Sequence, residues 1–391
     1  MSRLLKSYKT EINPTPDQKT KINKTIGTCR YMYNFYIAHN KELYDKGEKF
    51  LPYKKFSVWF NNEFIPNNPE YLWIKEVSSK SIKRSLENAN NAFSKFFNHK
   101  SNFPRFKKKG KSNVKMYFVK NDDKSIIQCE RHRIKIPTLG WVRIKEKGYI
   151  PTTKSGLVIK SGFVSKKADR YYISVLIDIP ENVVNNNSDK GIGIDLGIKD
   201  LAVVSDGTKY KNINKSYKVK RLEKQLKRQQ RSLSRKYENL KKLKKGEATQ
   251  KANIRKQMLK VQRLYHRIDN IRTDYINKTI LKIVKTKPSY ITIEDLNVKG
   301  MMKNRHLSKA VAGQKFYEFR VKLKKKCDEN SIELRVVDRF YPSSKLCNCC
   351  GFIKKDLKLS DRIYRCNCGY VEDRDVNTAL NLRDAKTYKL A

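Results

Sequence analysis

The first hundred residues change from period-two alternation to helical periodicity. Residues 3–13 alternate apolar and polar side chains and stop at Pro14, which predicts an opening strand. From Asp17 onward apolar residues recur every three to four positions, and the same spacing returns at 53–64 and 79–98. We therefore expect three helices here, with the apolar stripe of the third packed against the first.

Period two returns over residues 116–179, in segments such as RHRIKI and RYYISVLIDIP that Gly and Pro separate. These short strands predict a small β-barrel made of residues 1–14 and 101–180, which the N-terminal strand completes. The helical residues 15–100 would then be an insertion into the barrel. The polar stretch 181–190 predicts a linker between domains.

The second half of the chain combines buried strands with helices. GIGIDLG and LAVVSDGTKY predict a hairpin, PSYITIEDL and IELRVVD predict further strands, and helices are expected at 217–275, at 313–330 and in VNTALNLRDA. Gly246 is a candidate bend that would fold 217–275 into a helical hairpin. This order describes an RNase H-like α/β sheet formed by residues 191–345 and 370–391. The fold class is thus multidomain α+β.

The charge of the chain identifies its class of partner. The 391 residues include 88 Lys and Arg against 38 Asp and Glu, a formal net charge of +50. A polyanion is therefore the expected partner, and no apolar stretch reaches the roughly 20 residues that span a bilayer. The N-terminal segment has no apolar core of a secretory signal, so we expect a bacterial-type cytoplasmic location, with the protein on the nucleoid when it binds DNA.

Two segments concentrate the positive charge. FPRFKKKGKSNVK, residues 103–115, mixes cations with aromatic rings, as single-stranded nucleic acid favours. Residues 217–267 hold nineteen Lys and Arg against three Glu, and so one-sided a run is expected to lie along phosphates. A solvated loop and a solvated helix face are the alternatives. The candidate nucleic-acid contacts are Arg105, Lys107, Lys108, Lys109, Lys220, Arg221, Lys224, Lys227, Arg228, Arg231 and Arg235.

Three acidic residues stand out because they lie at the ends of apolar elements. Asp195 follows the strand residues GIGI, Glu294 ends SYITIE, and Asp375 opens the last predicted helix. Burial of a carboxylate costs roughly several kcal/mol unless a cation pairs with it, and a divalent metal is an economical partner. Such a trio predicts a nuclease site with two magnesium ions about 3.5–4 Å apart, which activate water and stabilise the leaving 3′ oxygen.

The assignment of this trio leaves alternatives open. Four further acids lie close by in the sequence and could replace a member: Asp200, Asp206, Asp295 and Asp373. Asp295 should face away from Glu294, because successive strand residues point to opposite sides. Asp373 is also a candidate N-cap, and Asn377 would either orient a ligand or cap the helix.

Five of the eight cysteines fall within 22 residues. Cys347 and Cys350 form one pair, Cys366 and Cys368 form a second, and 15 residues separate the pairs. Four thiolates at this spacing predict one structural zinc ion in a zinc ribbon over residues 346–369. Cys349 is an extra thiol, which we expect to be a bystander. Cys29, Cys129 and Cys327 have no metal-like spacing and are expected to be buried as small apolar residues.

The five histidines are dispersed, without an H-x-H pair or an HNH-like set. This pattern argues against a transposase that uses histidine-bound metal and a tyrosine nucleophile. It also argues against a second nuclease domain.

Several motifs together resemble one known family. GIDLGIKDLAVVSDG, ITIEDLNVKGM, SSKLCNCCG and YRCNCGYVEDRDVNTALNL are similar to the three RuvC motifs and the zinc ribbon of TnpB proteins, also called OrfB transposase-family proteins, which are relatives of compact type V CRISPR nucleases. TCRYMYNF and FPRFKKK are similar to N-terminal segments of the same family. The resemblance covers nearly the whole chain.

The resemblance implies an RNA-guided DNA endonuclease of an insertion sequence. The guide would be a transposon-end RNA, the target would be double-stranded DNA beside a short adjacent motif, and the catalytic acids would be Asp195, Glu294 and Asp375 of a RuvC domain. A nuclease-inactive guided repressor and a DDE-like transposase remain as alternatives.

Overall fold

The computed structural model describes residues 3–120, 127–153, 157–180, 188, 190–242, 247–358 and 360–391. The chain divides into two compact units, Met1–Glu181 and Asn182–Ala391. Gly246 and all of the predicted linker at 181–190 except Ser188 and Lys190 lie outside the described residues.

In its described residues, the first unit contains six strands and four α-helices. In chain order they are β1 (Arg3–Asn13), α1 (Pro16–Asp45), α2 (Tyr53–Trp59), α3 (Ile65–Asn67), α4 (Ser79–Phe97), β2 (Met116–Val119), β3 (Arg133–Ile136), β4 (Gly140–Ile144), β5 (Val158–Lys167) and β6 (Arg170–Pro180). A π-helical turn, Phe60–Phe64, joins α2 to α3, and a 3-10 segment, Pro69–Glu76, precedes α4.

Local sequence explains where α1 begins. Thr15 and Gln18 form a capping box. The Thr15 hydroxyl accepts from the backbone N–H of Gln18, and the side-chain oxygen of Gln18 accepts from the backbone N–H of Thr15. Pro16 occupies the first helical position, where no N–H is needed. The Gln18 amide also donates to the carbonyls of Leu139 and Trp141, at 3.0 and 2.9 Å, which ties the start of the helix to β4.

The predicted barrel is present in an open form, because the sheet of the first unit is curled into a half-barrel. Its strand order is β2-β5-β6-β1-β4-β3, and all pairs are antiparallel. The N-terminal strand lies between β6 and β4, paired with β6 along ten residues. Over the described residues, no ladder joins the edge strands β2 and β3.

The helices of this unit have an aromatic core. Tyr36, Phe56 and Phe93 are buried and meet edge to face, and Leu86 and Ala89 of the predicted α4 stripe are buried with them. The polar end of Tyr36 is satisfied, because its hydroxyl donates to the Leu51 carbonyl at 2.8 Å.

The part of the second unit that the structure describes contains eight strands and six α-helices. They are β7 (Ile192–Leu196), β8 (Asp200–Val204), β9 (Lys209–Lys211), α5 (Tyr217–Lys242), α6 (Glu247–Lys285), β10 (Tyr290–Glu294), α7 (Val298–Met301), α8 (Ser308–Gln314), α9 (Phe316–Asp328), β11 (Glu333–Val337), β12 (Ile363–Arg365), β13 (Val371–Asp373), α10 (Arg374–Arg383) and β14 (Lys389–Leu390).

Six of these strands form one mixed sheet in the order β14-β11-β10-β7-β8-β9. The central strands β7, β10 and β11 are parallel, whereas β8, β9 and β14 are antiparallel to their neighbours. Ile194, Ile291 and Ile293 enter a core that α6 and α9 cover. Parallel strands that end at the same edge bring their last residues together, and this property positions the site described below.

Two predicted helices differ from the observed ones. The basic helical segment continues ten residues past 275, because Ile276, Ile280 and Ile283 of α6 pack into the core of the sheet. The predicted helix at 313–330 begins earlier and is divided into α8 and α9 at Lys315, whose φ of 57° lies in the left-handed region. Ion pairs from the Lys315 ammonium to Asp269, at 2.8 Å, and to Glu318 accompany this break.

Candidate active site and cysteine cluster

Asp195 lies near the end of the central strand β7. Gly193 and Asp195 share one face of the strand, and Ile194 points to the opposite face, where it is fully buried. The face of Asp195 is covered by α10. A Cβ on Gly193 would lie only 1.9 Å from the Ala379 carbonyl oxygen, so the absence of a side chain allows the helix to rest directly on the strand.

Glu294 ends the neighbouring strand β10. Ile293 is the register partner of Ile194 in the parallel ladder, so Glu294 follows directly beside Asp195. The Ser343 hydroxyl donates a short hydrogen bond to the Glu294 carboxylate. Strand pairing therefore places two of the three predicted acids side by side, at the carboxyl ends of two central strands of the sheet.

Asp375 lies in the first turn of α10. Asp373 caps this helix, because its carboxylate accepts from the N–H groups of Asp375 at 3.0 Å and Val376 at 3.3 Å. Asp375 is one helical turn before Ala379, the residue that touches Gly193, and so it lies on the side of α10 that faces β7. A guanidinium nitrogen of Arg374 lies 3.4 Å from a carboxylate oxygen of Asp375.

The electrostatics of the three acids show that they share one environment. Burial, and after it the charges of Glu294 and Asp375, raise the pKa of Asp195 to about 8, and Arg374 opposes the shift. Burial also raises the pKa of Glu294, against the hydrogen bond from Ser343. A carboxylate with two acidic neighbours and one nearby guanidinium lacks positive charge, which a divalent cation would supply.

The donor set therefore fits a hard divalent cation. In the described part of the chain, the acids do not form a group whose three ligand oxygens all lie within 4.8 Å of one another.

Three of the four alternative acids have other partners. Asp295 points away from Glu294 and pairs with Arg320 and Arg339, each at 2.9 Å. Asp206 accepts the Thr208 N–H in a turn, and Asp373 is the helix cap. The ammonium of Lys209 contacts Asp373 at 2.6 Å and, with the helix N–H groups, keeps its pKa low although burial acts to raise it.

The cysteine pairs meet at a second site. The sulfurs of Cys347, Cys350, Cys366 and Cys368 all lie within 4.8 Å of one another. Cys347 and Cys368 are 3.7 Å apart, and Cys350 and Cys366 are 3.6 Å apart. Four sulfurs placed tetrahedrally at about 2.3 Å from a zinc ion would be separated by about 3.8 Å, so this cluster has the dimensions of a zinc site.

Each half of the cluster ends in a tight backbone turn at a glycine. The Gly351 N–H donates to the Cys347 carbonyl at 2.9 Å, and the Gly369 N–H donates to the Cys366 carbonyl at 3.1 Å. Gly351 and Gly369 have φ values of 77° and 87°, which a residue with a Cβ rarely adopts. Cys349 is exposed and is not a member of the cluster.

The three isolated cysteines are buried. Cys29, Cys129 and Cys327 have at most 1% of their surface exposed, in agreement with their expected role as small apolar residues.

Two polar residues beside the acids, Ser343 and Asn381, were not predicted as parts of the site, whereas Asn377 was expected to orient a ligand or to cap the helix. Ser343 is 4% exposed and bonds to Glu294, and Asn377 and Asn381 are 0% and 2% exposed on α10. The cap of α10 is Asp373, and Asn377 bonds instead to the segment that carries the first cysteine pair. The Asn377 amide donates to the Leu346 carbonyl at 2.8 Å, and its oxygen accepts the Asn348 N–H at 3.2 Å. The only sequence signal was the spacing of the two asparagines, four residues apart on one helix face.

The candidate nucleic-acid contacts on α5 are all exposed: Lys220, Arg221, Lys224, Lys227, Arg228, Arg231 and Arg235. The opposite face of α5 buries Val219, Leu222 and Leu226 against α6. The helix thus presents one apolar and one cationic side.

In the first unit, Arg105, Lys108 and Lys109 are exposed, whereas Lys107 lies over the Tyr33 ring at 3.5 Å. The Lys107 N–H donates to the Asn34 oxygen at 2.7 Å. These contacts give Lys107 a role in anchoring its loop to α1.

Known protein families match three parts of the chain. A family described as a probable transposase (OrfB_IS605) matches residues 173–305. A Cas12f1-like TNB domain matches residues 316–382, and a helix-turn-helix domain of the OrfB_IS605 group matches residues 1–49.

Relatives align along almost the full length. The chain is 31% identical to the "Putative RNA-guided DNA endonuclease InsQ" of Escherichia coli K12, over 97% of this chain and 91% of the relative. It is 29% identical to a protein of Streptomyces pristinaespiralis with the same functional description, over 98% and 89% of the two chains.

The fold is also similar to a solved structure, the cryo-EM structure of the Cas12f1-sgRNA-target DNA complex. The TM-score is 0.62 at 13% identity, and the match covers 99% of this chain and all of the other. Among the described residues, none of the helices has the length and apolar character needed to cross a bilayer. The chain therefore belongs to the TnpB family, as shown by its sequence similarity to the relatives along almost the full length, by the matching transposase family and by this shared fold.

Proposed function

We propose that this protein is an RNA-guided DNA endonuclease of an insertion sequence, which cleaves double-stranded DNA beside a short adjacent motif. The observation that supports this most is the convergence of Asp195, Glu294 and Asp375. They lie on two adjacent parallel strands and the helix that covers them. Glu294 and Asp375 raise the pKa of Asp195, and such clustering of negative charge is typical of a cation-binding site.

In this proposal the three carboxylates would hold two magnesium ions beside the scissile phosphate. When bound, the ions would lower the pKa of the attacking water and stabilise the leaving 3′ oxygen. Ser343 holds the Glu294 carboxylate in place through its hydroxyl. Asp373 fixes the start of α10, and with it the position of Asp375.

We assign one structural zinc ion to Cys347, Cys350, Cys366 and Cys368. Four sulfur ligands would leave no open position for a substrate, so this ion would have no direct part in the chemistry. Its binding energy would instead stabilise the ribbon that precedes α10.

The cationic face of α5 and the exposed residues Arg105, Lys108 and Lys109 are proposed to bind the phosphates of a guide RNA and its target. Base pairing between guide and target strand would then supply the sequence specificity. The guide would derive from the transposon end. The functional descriptions of the E. coli and Streptomyces relatives support these partners, and so do the sgRNA and target DNA of the solved Cas12f1 complex.

A test begins with the nucleic acid that copurifies with the protein. We expect a high ratio of absorbance at 260 to 280 nm that survives DNase and is lost with RNase. Sequencing this RNA would identify the guide. A preparation without RNA that joins DNA ends in vitro would instead indicate a DDE-like transposase.

The second step measures cleavage of a plasmid library that carries the matching target beside randomised flanks. Magnesium-dependent cleavage is expected for the wild-type complex, and its loss is expected for Asp195→Ala, Glu294→Ala and Asp375→Ala. Asp295→Ala is the matched control, because this acid pairs with Arg320 and Arg339 outside the site. Target binding without cleavage by the wild-type complex would indicate a guided repressor.

A further inference from the structure

The segment that enters the cysteine cluster is hydrogen-bonded to both sides of the acidic site. Ser343 donates its hydroxyl to Glu294 on β10, and its carbonyl accepts from the Asn381 amide of α10 at 2.8 Å. Ser343 therefore bridges the strand that carries one acid and the helix that carries another. Its 4% exposure leaves almost no room for water to replace these contacts.

Three residues later the same segment is attached to α10 again. The Leu346 carbonyl accepts from both Asn377, at 2.8 Å, and Asn381, at 2.6 Å. Leu346 directly precedes Cys347, a cluster residue that is only 1% exposed. Cys347 is thus linked to α10 through its peptide bond with Leu346 and the two hydrogen bonds that the Leu346 carbonyl accepts.

The attachment continues inside the first cysteine pair. Asn348, between Cys347 and Cys349, donates its N–H to Asn377 at 3.2 Å and its amide to Asn381 at 3.3 Å and Asp384 at 2.9 Å. Asn377 is two residues from Asp375 on the same helix. Buried amides with all their partners in place fix one arrangement, since any shift would leave polar groups without partners.

We propose that the cysteine cluster and the acidic site are thermodynamically coupled, so that metal at the cysteines raises the affinity of the acids for a divalent cation. Ser343, Asn377 and Asn381 are the positioning residues that carry the coupling. This inference rests on the proposed function of the three acids as cation ligands. Metal at the cysteines fixes residues 343–348, and these residues hold Glu294 and α10 in the arrangement that binds the cation.

The test uses Mn²⁺ as a paramagnetic probe of the acidic site, with the full-length chain loaded with one zinc ion. Free Mn²⁺ is counted by electron paramagnetic resonance, and the binding that Asp195→Ala removes is assigned to the acids. We expect Asn381→Ala and Ser343→Ala to keep their zinc but to bind Mn²⁺ at least about fivefold more weakly, the lower end of usual coupling. Ser343→Thr, which retains the hydroxyl, should restore most of the affinity.

Two controls separate coupling from general damage. Asn40→Ala removes a buried asparagine of the first unit that also bonds to backbone, to the Tyr36 carbonyl and the Leu51 N–H, and it should leave Mn²⁺ affinity unchanged. Cys350→Ser, which loses a zinc ligand, should weaken Mn²⁺ binding at least as much as Asn381→Ala. Loss of the ribbon fold could itself disturb α10 in that variant, and Ser343 bonds directly to Glu294. Asn381→Ala therefore decides the question, because Asn381 bonds to Ser343 and Leu346 of the cluster segment and to none of the three acids.

The outcomes separate this inference from the proposed function. If Asp195→Ala leaves Mn²⁺ binding unchanged, the acids are not cation ligands and both ideas are overturned. If the acids bind Mn²⁺ but zinc-loaded Asn381→Ala binds it as tightly as wild type, the coupling alone is overturned.

Discussion

At the scale of single residues, the most unusual feature is the carboxyl group of Asp195. Burial and two acidic neighbours raise its pKa to about 8, although Arg374 partly offsets them. Asp295 is a useful contrast, because it is adjacent to Glu294 in sequence but paired with two arginines. The raised pKa means that the folded chain disfavours the ionised form of this carboxyl group, which lowers the free energy of unfolding at neutral and higher pH.

This shift predicts how stability depends on pH when divalent metal is absent. Between the ordinary pKa of 3.8 and about 8, the folded state keeps a proton at Asp195 that the unfolded state has lost. The free energy of unfolding should therefore fall as the pH rises through this window. Asp195→Asn should remove this slope and stabilise the chain by about 2 kcal/mol at pH 8, since each pKa unit corresponds to about 1.4 kcal/mol and partial solvation reduces the total.

Urea unfolding at pH 5 and pH 8 in EDTA measures this effect. Asp295→Asn, the control, should lose stability or stay unchanged, because it breaks ion pairs instead of removing an unpaired charge. Millimolar Mg²⁺ should stabilise wild type but not Asp195→Asn. An Asp195→Asn chain less stable than wild type at pH 8 in EDTA would contradict the electrostatic argument.

At the scale of elements, the site depends on how closely α10 lies on β7. Gly193 permits this contact, because a Cβ there would lie 1.9 Å from the Ala379 oxygen and 2.5 Å from the Arg383 nitrogen. Both clashing atoms belong to helix backbone, which cannot rotate away as a side chain can. The position of Asp375 is therefore set partly by the smallest residue of the neighbouring strand.

Gly193→Ala should push α10 off the sheet. We expect a loss of about 2 kcal/mol or more in stability and cleavage at least about tenfold slower, since overpacking of a close contact has costs of this order. Gly27→Ala is the matched control. Gly27 lies inside α1 with no atom within 4 Å of an added Cβ, so alanine should be neutral or stabilise the helix by up to about 1 kcal/mol. Equal effects of the two substitutions would show that α10 tolerates displacement.

The ribbon gives a second prediction at this scale. Cys349→Ser should retain one zinc per chain, because Cys349 is exposed and lies outside the cluster. Cys350→Ser removes one of four ligands and should lose the zinc and lower the melting temperature. Elemental analysis by mass spectrometry, together with thermal unfolding, measures both effects. Loss of zinc from Cys349→Ser would show that the extra thiol is a ligand.

At the scale of the whole molecule, the cations behind the net charge of +50 differ in whether they are exposed or paired with acids. Seven cations of α5 are exposed on the side opposite its apolar stripe. Several lysines of α9 are instead neutralised in part, since Lys322, Lys324 and Lys326 pair with Glu318, Asp328 and Glu329. Unpaired cations release more counterions from a nucleic acid than paired ones do.

The triple substitution Lys227→Gln, Arg231→Gln and Arg235→Gln should weaken RNA binding and make it less sensitive to salt. The slope of the logarithm of the binding constant against the logarithm of salt concentration should fall by about 2 in magnitude. The control replaces Lys322, Lys324 and Lys326 by Gln, with the same change in net charge. Fluorescence anisotropy over a range of KCl concentrations measures both, and identical slopes would mean that net charge alone governs binding.

The sequence by itself determined most of the strands and helices, the four cluster cysteines and the family, and it identified the three acids as candidates. Periodicity predicted β1, α1 and the strand that carries Asp195, because a buried face must repeat with the period of its backbone. Spacing identified the cysteine pairs, because a tetrahedral ion needs ligands at short intervals along the chain. The motifs around Asp195, Glu294 and Asp375 also identified the TnpB family before any contact was known.

Only the tertiary structure decided which groups meet across long distances in sequence. The open edge of the first sheet, the break at Lys315 and the extension of α6 to Lys285 depend on packing that no local pattern records. The bridge from Ser343 to Glu294 and Asn381 joins residues 49 and 38 positions apart. Such contacts arise when buried polar groups must find partners in the assembled core, and this requirement acts on positions in space rather than on order along the chain.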